Sequence, residues 1–159
     1  MKENDNSYEV IYKYDKFSDI LGIKVTREFQ YDETVEMDDG LLLDFDVNNI
    51  PTALEMHDAS KRLNVPPESL DNILFLKMNI SVDVNSIAIN AIFGLLIKNM
   101  ENECPIHSIT SNFSHIPEIE AELIIWFFEN YSHLIIFLWA VIIVKLLELM
   151  VILQSSTST

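Results

Sequence analysis

The run Asp44-Phe45-Asp46-Val47-Asn48-Asn49-Ile50-Pro51-Thr52-Ala53-Leu54-Glu55 places oxygen-bearing side chains at its first, third, fifth and twelfth positions. That is the spacing with which a helix-flanked loop encloses calcium. Two residues argue against the metal. Asn49 stands where such a loop needs glycine for its sharp turn, and Pro51 stands where the backbone must bend. The alternation of apolar and polar residues on both sides of Asn48-Asn49 reads as a β-hairpin instead. Asp38, Asp39, Asp44 and Asp46 then form an acidic cluster around that hairpin. It is either a solvated strand edge that discourages sheet-to-sheet association or a docking surface for a basic protein partner.

Other chemistry is sparse. His57-Asp58 could seed a metal site or an acid–base pair, the basis for a small hydrolase or metal-dependent enzyme as an alternative function. His57, His107, His115 and His133 have no ligand spacing among themselves, and a lone histidine at a strand end is more often capped or solvent-facing. Gly22, Gly40 and Gly94 are the only glycines, which excludes a dinucleotide fingerprint and a phosphate loop. Cys104 stands alone with no basic activator beside it, so neither a disulfide nor a cysteine-based zinc site is available. No catalytic residue, cofactor-binding residue or metal ligand is assigned, and no cofactor is expected.

The elements that would position these residues are mostly strands. Tyr8–Tyr14 is rich in aromatic and β-branched residues, Asp15, Ser18 and Asp19 are turn formers, and Ile20–Val25 returns as a hairpin partner. Thr26–Glu36 reads as a looser polar stretch leading to Asp38-Asp39-Gly40, where glycine can take positive φ. Leu41–Val47 and Ile50–Met56 flank the Asn48-Asn49 turn, and Pro51 belongs at the edge or the start of its strand. Asp58 is placed to cap a helix of about two turns over Ala59–Leu63, which Pro66-Pro67 stops or restarts as another turn through Leu70.

The Tyr14-Asp15…Asp19 turn, the Asp38-Asp39-Gly40 bend and the Ala59-Ser60-Lys61-Arg62 segment closely resemble the small YuzE-type domain, a prokaryotic family of unknown function, over about residues 8–65. The resemblance implies a small antiparallel β domain and no activity. An antitoxin-like role against a basic toxin is compatible with it. Asn48-Asn49 and Pro51 stand where the family commonly has glycines.

Beyond residue 65, Leu76, Met78, Ile80 and Val82 alternate with Lys77, Asn79, Ser81 and Asp83, and Ser86–Phe93 continues the period of two. A second hairpin turning at Asp83-Val84-Asn85 is predicted, with a short third strand over Pro105–Thr110. Pro117 followed by Glu118, Glu120 and Glu122 reads as a helix start, since carboxylates favour the positive end of the helix dipole. The apolar run Leu134–Leu153, through Trp139, is 20 residues long and would span about 30 Å as a helix, a bilayer's thickness. Only Lys145 and Glu148 interrupt it, so it is a candidate membrane segment, a buried or self-associating helix, or an accidental tail.

The expectation is therefore an α+β protein. A small antiparallel β-meander with a short helix occupies 1–65, a second β-hairpin region extending or packing on the sheet 66–116, and a long hydrophobic helical tail 117–159. A formal charge of −15 argues against nucleic acid, where every phosphate contact needs a cation. It suits a basic protein partner or self-association. The lone cysteine suits the cytoplasm, with the tail as a candidate membrane anchor. The expected function is a non-enzymatic interaction module with an acidic face. The alternatives are the His57/Asp58 enzyme and a structural membrane-anchored protein.

Overall fold

A computed structural model describes residues 6–126. The chain runs β1 (Ser7–Asp15), β2 (Ile20–Val25), β3 (Tyr31–Asp38), β4 (Leu41–Asp46), β5 (Pro51–Met56), α1 (Ala59–Leu63), a 3-10 turn (Pro67–Asp71), β6 (Ile73–Val82), β7 (Ser86–Ile97), β8 (Met100–Ser111) and β9 (Ile119–Trp126). All nine strands join one sheet in the order β3-β4-β5-β2-β1-β9-β6-β7-β8. β1 is the hinge of the arrangement. Its second half pairs antiparallel with β2, and its first three residues pair parallel with β9, Ser7 opposite Glu122. The sheet curls until its two end strands approach, where the Ser108 hydroxyl of β8 donates to Asp38 Oδ2 of β3 at 2.8 Å.

The period-2 pattern explains the curl. Leu21, Ile23, Leu41, Leu43, Phe45, Leu54 and Met56 from one half face Leu76, Met78, Ile80, Ile87, Ile89, Phe93 and Leu123 from the other, all at most 1% exposed. Each such side chain contributes about 1.5–3 kcal/mol on leaving water, so the shared interior is what draws the halves together. Outward neighbours such as Lys13, Lys24, Glu36, Lys77 and Asn79 are exposed. The two strand prolines sit where a missing donor is tolerated: Pro51 opens β5, and Pro105 lies on the end strand β8.

The α+β expectation is corrected. Among the described residues the protein is almost all β, and its one α-helix has five residues. Two strands replace what the sequence reading assigned otherwise. Of the expected loose stretch Thr26–Glu36 only residues 26–30 are irregular, since β3 begins at Tyr31 and buries Val35 and Met37 behind its acidic residues. The helix expected to begin at Pro117 is β9, which lies between β1 and β6 and buries Ala121, Leu123 and Ile125. Glu118, Glu120 and Glu122 are spaced by two, and a spacing of two is a strand's outward row rather than a helix's first turn.

The membrane expectation is corrected as well. Among the described residues no helix is long and apolar enough to cross a membrane, so the C-terminal anchor is unsupported. Leu134, Trp139 and Leu153 lie outside the described residues.

Candidate functional site

Polar groups concentrate on the β1–β5 half, and the turn between β1 and β2 shows how tightly they are organised. Asp19, with φ 54°, reaches across to the start of α1. Its Oδ1 accepts the Ser60 amide at 2.9 Å, its Oδ2 the Ser60 hydroxyl at 2.8 Å, and its carbonyl the Ala59 amide at 3.0 Å. The Tyr14 hydroxyl also donates to Asp19 Oδ1, at 2.9 Å. Burial tends to raise the Asp19 carboxyl, but the bonds from Ser60 and Tyr14 outweigh it and hold the group below the usual carboxylate range. Burial, then the Asp19 bond and charge, push Tyr14 up to about 12. Asp19 is thus the helix cap. Asp58 sits at the cap position in a left-handed conformation, makes no capping bond and pairs with Lys61.

The four aspartates singled out by sequence do not form one open edge. Asp46 is wholly buried: its Oδ2 takes Arg27 Nη2 at 2.8 Å, and its Oδ1 takes the amides of Asn48 and Ile50 at 2.9 and 3.0 Å. Burial opposes its charge, and the Arg27 bond with those two amides overcomes that and lowers its pKa. The carboxylate therefore builds the β4–β5 turn that resembles a calcium loop. Asp38 accepts both Ser108 and Arg62 Nη1, the latter at 2.7 Å, and Arg62 also donates to the Asp39 carbonyl. Asp44 faces outward from β4 and accepts the Thr34 hydroxyl at 2.6 Å.

His57 follows β5, and its amide donates to the Gly40 carbonyl at 2.8 Å. Gly40 has φ 77°, and a Cβ there would stand 2.9 Å from His57 Cβ, so that bend requires glycine. The His57 ring meets one carboxylate, Glu55, at 2.6 Å, with both side chains about half exposed. Asp58 turns away to Lys61. Among the described residues no group of three or more His, Cys, Asp or Glu side chains could hold a metal ion. His107 lies on the outer face of β8 with Nδ1 2.7 Å from Asn90 Oδ1, and His115 lies in the loop before β9; His133 lies outside the described residues.

Two features escaped the sequence reading. One is β3 itself. As an end strand of the sheet, it carries Asp32, Glu33, Glu36 and Asp38 with no Lys, Arg or His. The run Glu28–Asp39 holds six acids and no base, a signal visible once the strand is recognised. Among the described residues Asp32, Glu33 and Glu36 have no ion-pair partner. The other feature is a trough of about 310 Å3 on the outer face of β1, β2, β5 and β4, with Gly22 and Ala53 among its lining residues. Flanking charges could have hinted at it, but only the strand pairing puts them side by side.

Residues 11–60, from within β1 to within α1, match the model of a family described as a protein of unknown function (DUF2283), so the chain carries a domain of that family there. Every residue lining the trough falls inside the matched segment, and so does all of β3. No curated protein and no solved structure matches the chain.

Proposed function

We propose that the protein is a non-enzymatic protein-interaction module of YuzE type that presents the β3 edge to a basic protein partner. The observation that supports this reading is the state of the carboxylates on that edge. Asp38 is engaged by Arg62 and Ser108, whereas Asp32, Glu33 and Glu36 have no cation against them among the described residues. Unpaired like charges along a strand repel one another, and a cationic partner relieves that repulsion while steering its own approach. β8 approaches the Asp38 end of the strand, so a basic segment docks along Asp32, Glu33 and Glu36 and binds through charge.

The test is a titration of the full chain with a lysine-rich peptide at about 20 and 200 mM salt, followed by calorimetry. Saturable binding is expected, weakening at the higher salt as screening sets in. The double variant Asp32→Asn/Glu36→Gln should lose about tenfold in affinity. Equal affinity for the variant, or no binding at low salt, overturns the reading. A variant that aggregates but binds the peptide as before would mean that the charges only guard the edge.

A further inference from the structure

The outward strand glycines of this sheet are treated in two ways. Gly94 on β7 is paired with Phe75 on β6, and the Phe75 ring lies across it so closely that a Cβ there would fall 2.2 Å from ring carbons. The molecule covers that glycine with its own aromatic ring. Gly22 occupies the middle of β2, an interior strand, and faces out in the same way. Its φ is ordinary, and a Cβ there would meet nothing nearer than the Lys13 carbonyl at 3.8 Å. Neither conformation nor crowding requires glycine, and glycine weakens a strand interior. What a bare glycine does permit is close approach of a flat group to the backbone.

The strand register defines what surrounds the bare patch. Gly22 is opposite Glu55 and Lys24 is opposite Ala53, so Gly22 and Ala53 form one diagonal of a four-residue patch and Lys24 and Glu55 the other. Diagonal neighbours of this kind stand about 7–8 Å apart, the breadth of an aromatic ring. Lys13 flanks Gly22 on β1, and Asp44 flanks Ala53 on β4. Among the described residues neither Lys13 nor Lys24 is in an ion pair, and Lys24 already sets its ammonium 5.0 Å from the centre of the Phe29 ring. Asp44 and Glu55 each accept one hydrogen bond and keep lone pairs for another.

We propose that this trough seats an aromatic side chain of a protein partner, a tyrosine or a tryptophan, lying flat over Gly22 and Ala53. The partner's ring supplies outside what Phe75 supplies for Gly94. The lysine stems on one flank are long enough to fold their ammonium groups over the outward, negative face of the ring, and the carboxylates on the other flank match its positive edge and its hydroxyl or indole N–H. The proposal rests on the reading of the protein as an interaction module and names the anchor that the partner contributes.

The experiment uses the full chain labelled with 15N and follows amide shifts on titration with N-acetyl-L-tyrosinamide and N-acetyl-L-tryptophanamide, with N-acetyl-L-leucinamide as control. Saturable shifts at Gly22, Lys24 and Ala53 are expected for the aromatic probes, in the millimolar range, and none for leucinamide. Gly22→Val fills the floor and should weaken binding at least tenfold while raising the unfolding temperature, because valine suits a strand. Lys13→Met, which leaves the floor intact, should weaken it severalfold.

Absent or unsaturable shifts, equal shifts with leucinamide, undiminished binding by Gly22→Val, or a destabilised Gly22→Val each overturn the proposal. So does much tighter binding of free p-cresol than of capped tyrosine, which would mark a small-molecule site. Running the lysine-rich peptide on the same sample separates the two ideas. Aromatic binding without peptide binding removes the acidic-edge reading and leaves the trough. Peptide binding without aromatic binding removes only the trough.

Discussion

Asp46→Ala should destabilise the protein more than any exposed aspartate substitution on the same half. The Asp46 side chain is completely inaccessible to solvent, and its two oxygens accept one guanidinium and two turn amides. Hydrogen bonds to a charged group contribute about 1.5–3 kcal/mol each, but three bonds to one carboxylate do not add independently. Removing one partner of a buried ion pair costs about 3–5 kcal/mol when the survivor stays buried. Arg27 is one-third exposed, so its freed guanidinium regains some water and the cost falls to the lower end, about 3 kcal/mol. For a domain of this size that is a fall of about 10 °C in unfolding temperature. Asp46→Asn keeps an acceptor for the turn amides and loses the charge, so about half the effect should remain.

The pH dependence gives an independent check. The folded carboxyl of Asp46 titrates below its unfolded value of about 3.9, so its contribution is fully present above that pH. It is lost as pH falls through the folded pKa. The stability gap between the native chain and Asp46→Asn should therefore be constant from pH 7 to 5 and close below about pH 4. Thermal unfolding followed by circular dichroism at pH 7, 5 and 3 measures both quantities. An Asp46→Ala protein within about 0.5 kcal/mol of the native chain at pH 7 would refute the assignment of Asp46 as the structural centre of the β4–β5 turn.

The identity of the helix cap is equally open to test. Asp19→Ala should cost about 1 kcal/mol through the lost Ser60 bonds, whereas Asp58→Gly should leave the unfolding midpoint where it is, since Asp58 holds a left-handed conformation and caps nothing. The reverse ranking in a urea melt would restore Asp58 as the cap. At the other covered strand position, Gly94→Ala drives a methyl group into the Phe75 ring and should cost about 1–3 kcal/mol. Adding Phe75→Leu should recover part of that loss, and a strictly additive double variant would show that the ring and the glycine are independent.

What the sequence made legible was local. The β1–β2 and β4–β5 hairpins show in the alternation of Tyr8–Tyr14, Ile20–Val25 and Leu41–Met56 because both the turn residues and the apolar rows lie within a few residues of each other. β3 was obscured by its acidity: Val35 and Met37 are its only buried side chains, set among residues that β-propensity disfavours. β9 was obscured by its surroundings, since a proline and three glutamates precede an apolar stretch that suits either helix or strand, and the decision is made by β1 and β6 on either side. The site was less legible than the fold. Asp19 and Ser60 are 41 residues apart, Asp38 and Ser108 are 70 apart, and no local spacing announces either pair.

The distribution of the arginines gives the acidic surface its meaning. The chain has two, Arg27 and Arg62, and the fold commits each, partly buried, to an aspartate. Arg27 holds Asp46 in the turn, and Arg62 draws Asp38 and the Asp39 carbonyl together where β3 nears β8. Of the two cation types, arginine's rigid fork suits such partly buried pairs, and lysine's hydrated ammonium suits open surface. Once the arginines are spent on those two aspartates, the lysines are left to balance the outer face, and none of them lies on β3. β3 is thus left with four carboxylates, of which only Asp38 meets a cation among the described residues. Neutralising Asp38 would loosen the fold, while neutralising Asp32 and Glu36 should raise stability slightly by relieving like-charge repulsion and weaken what the edge attracts.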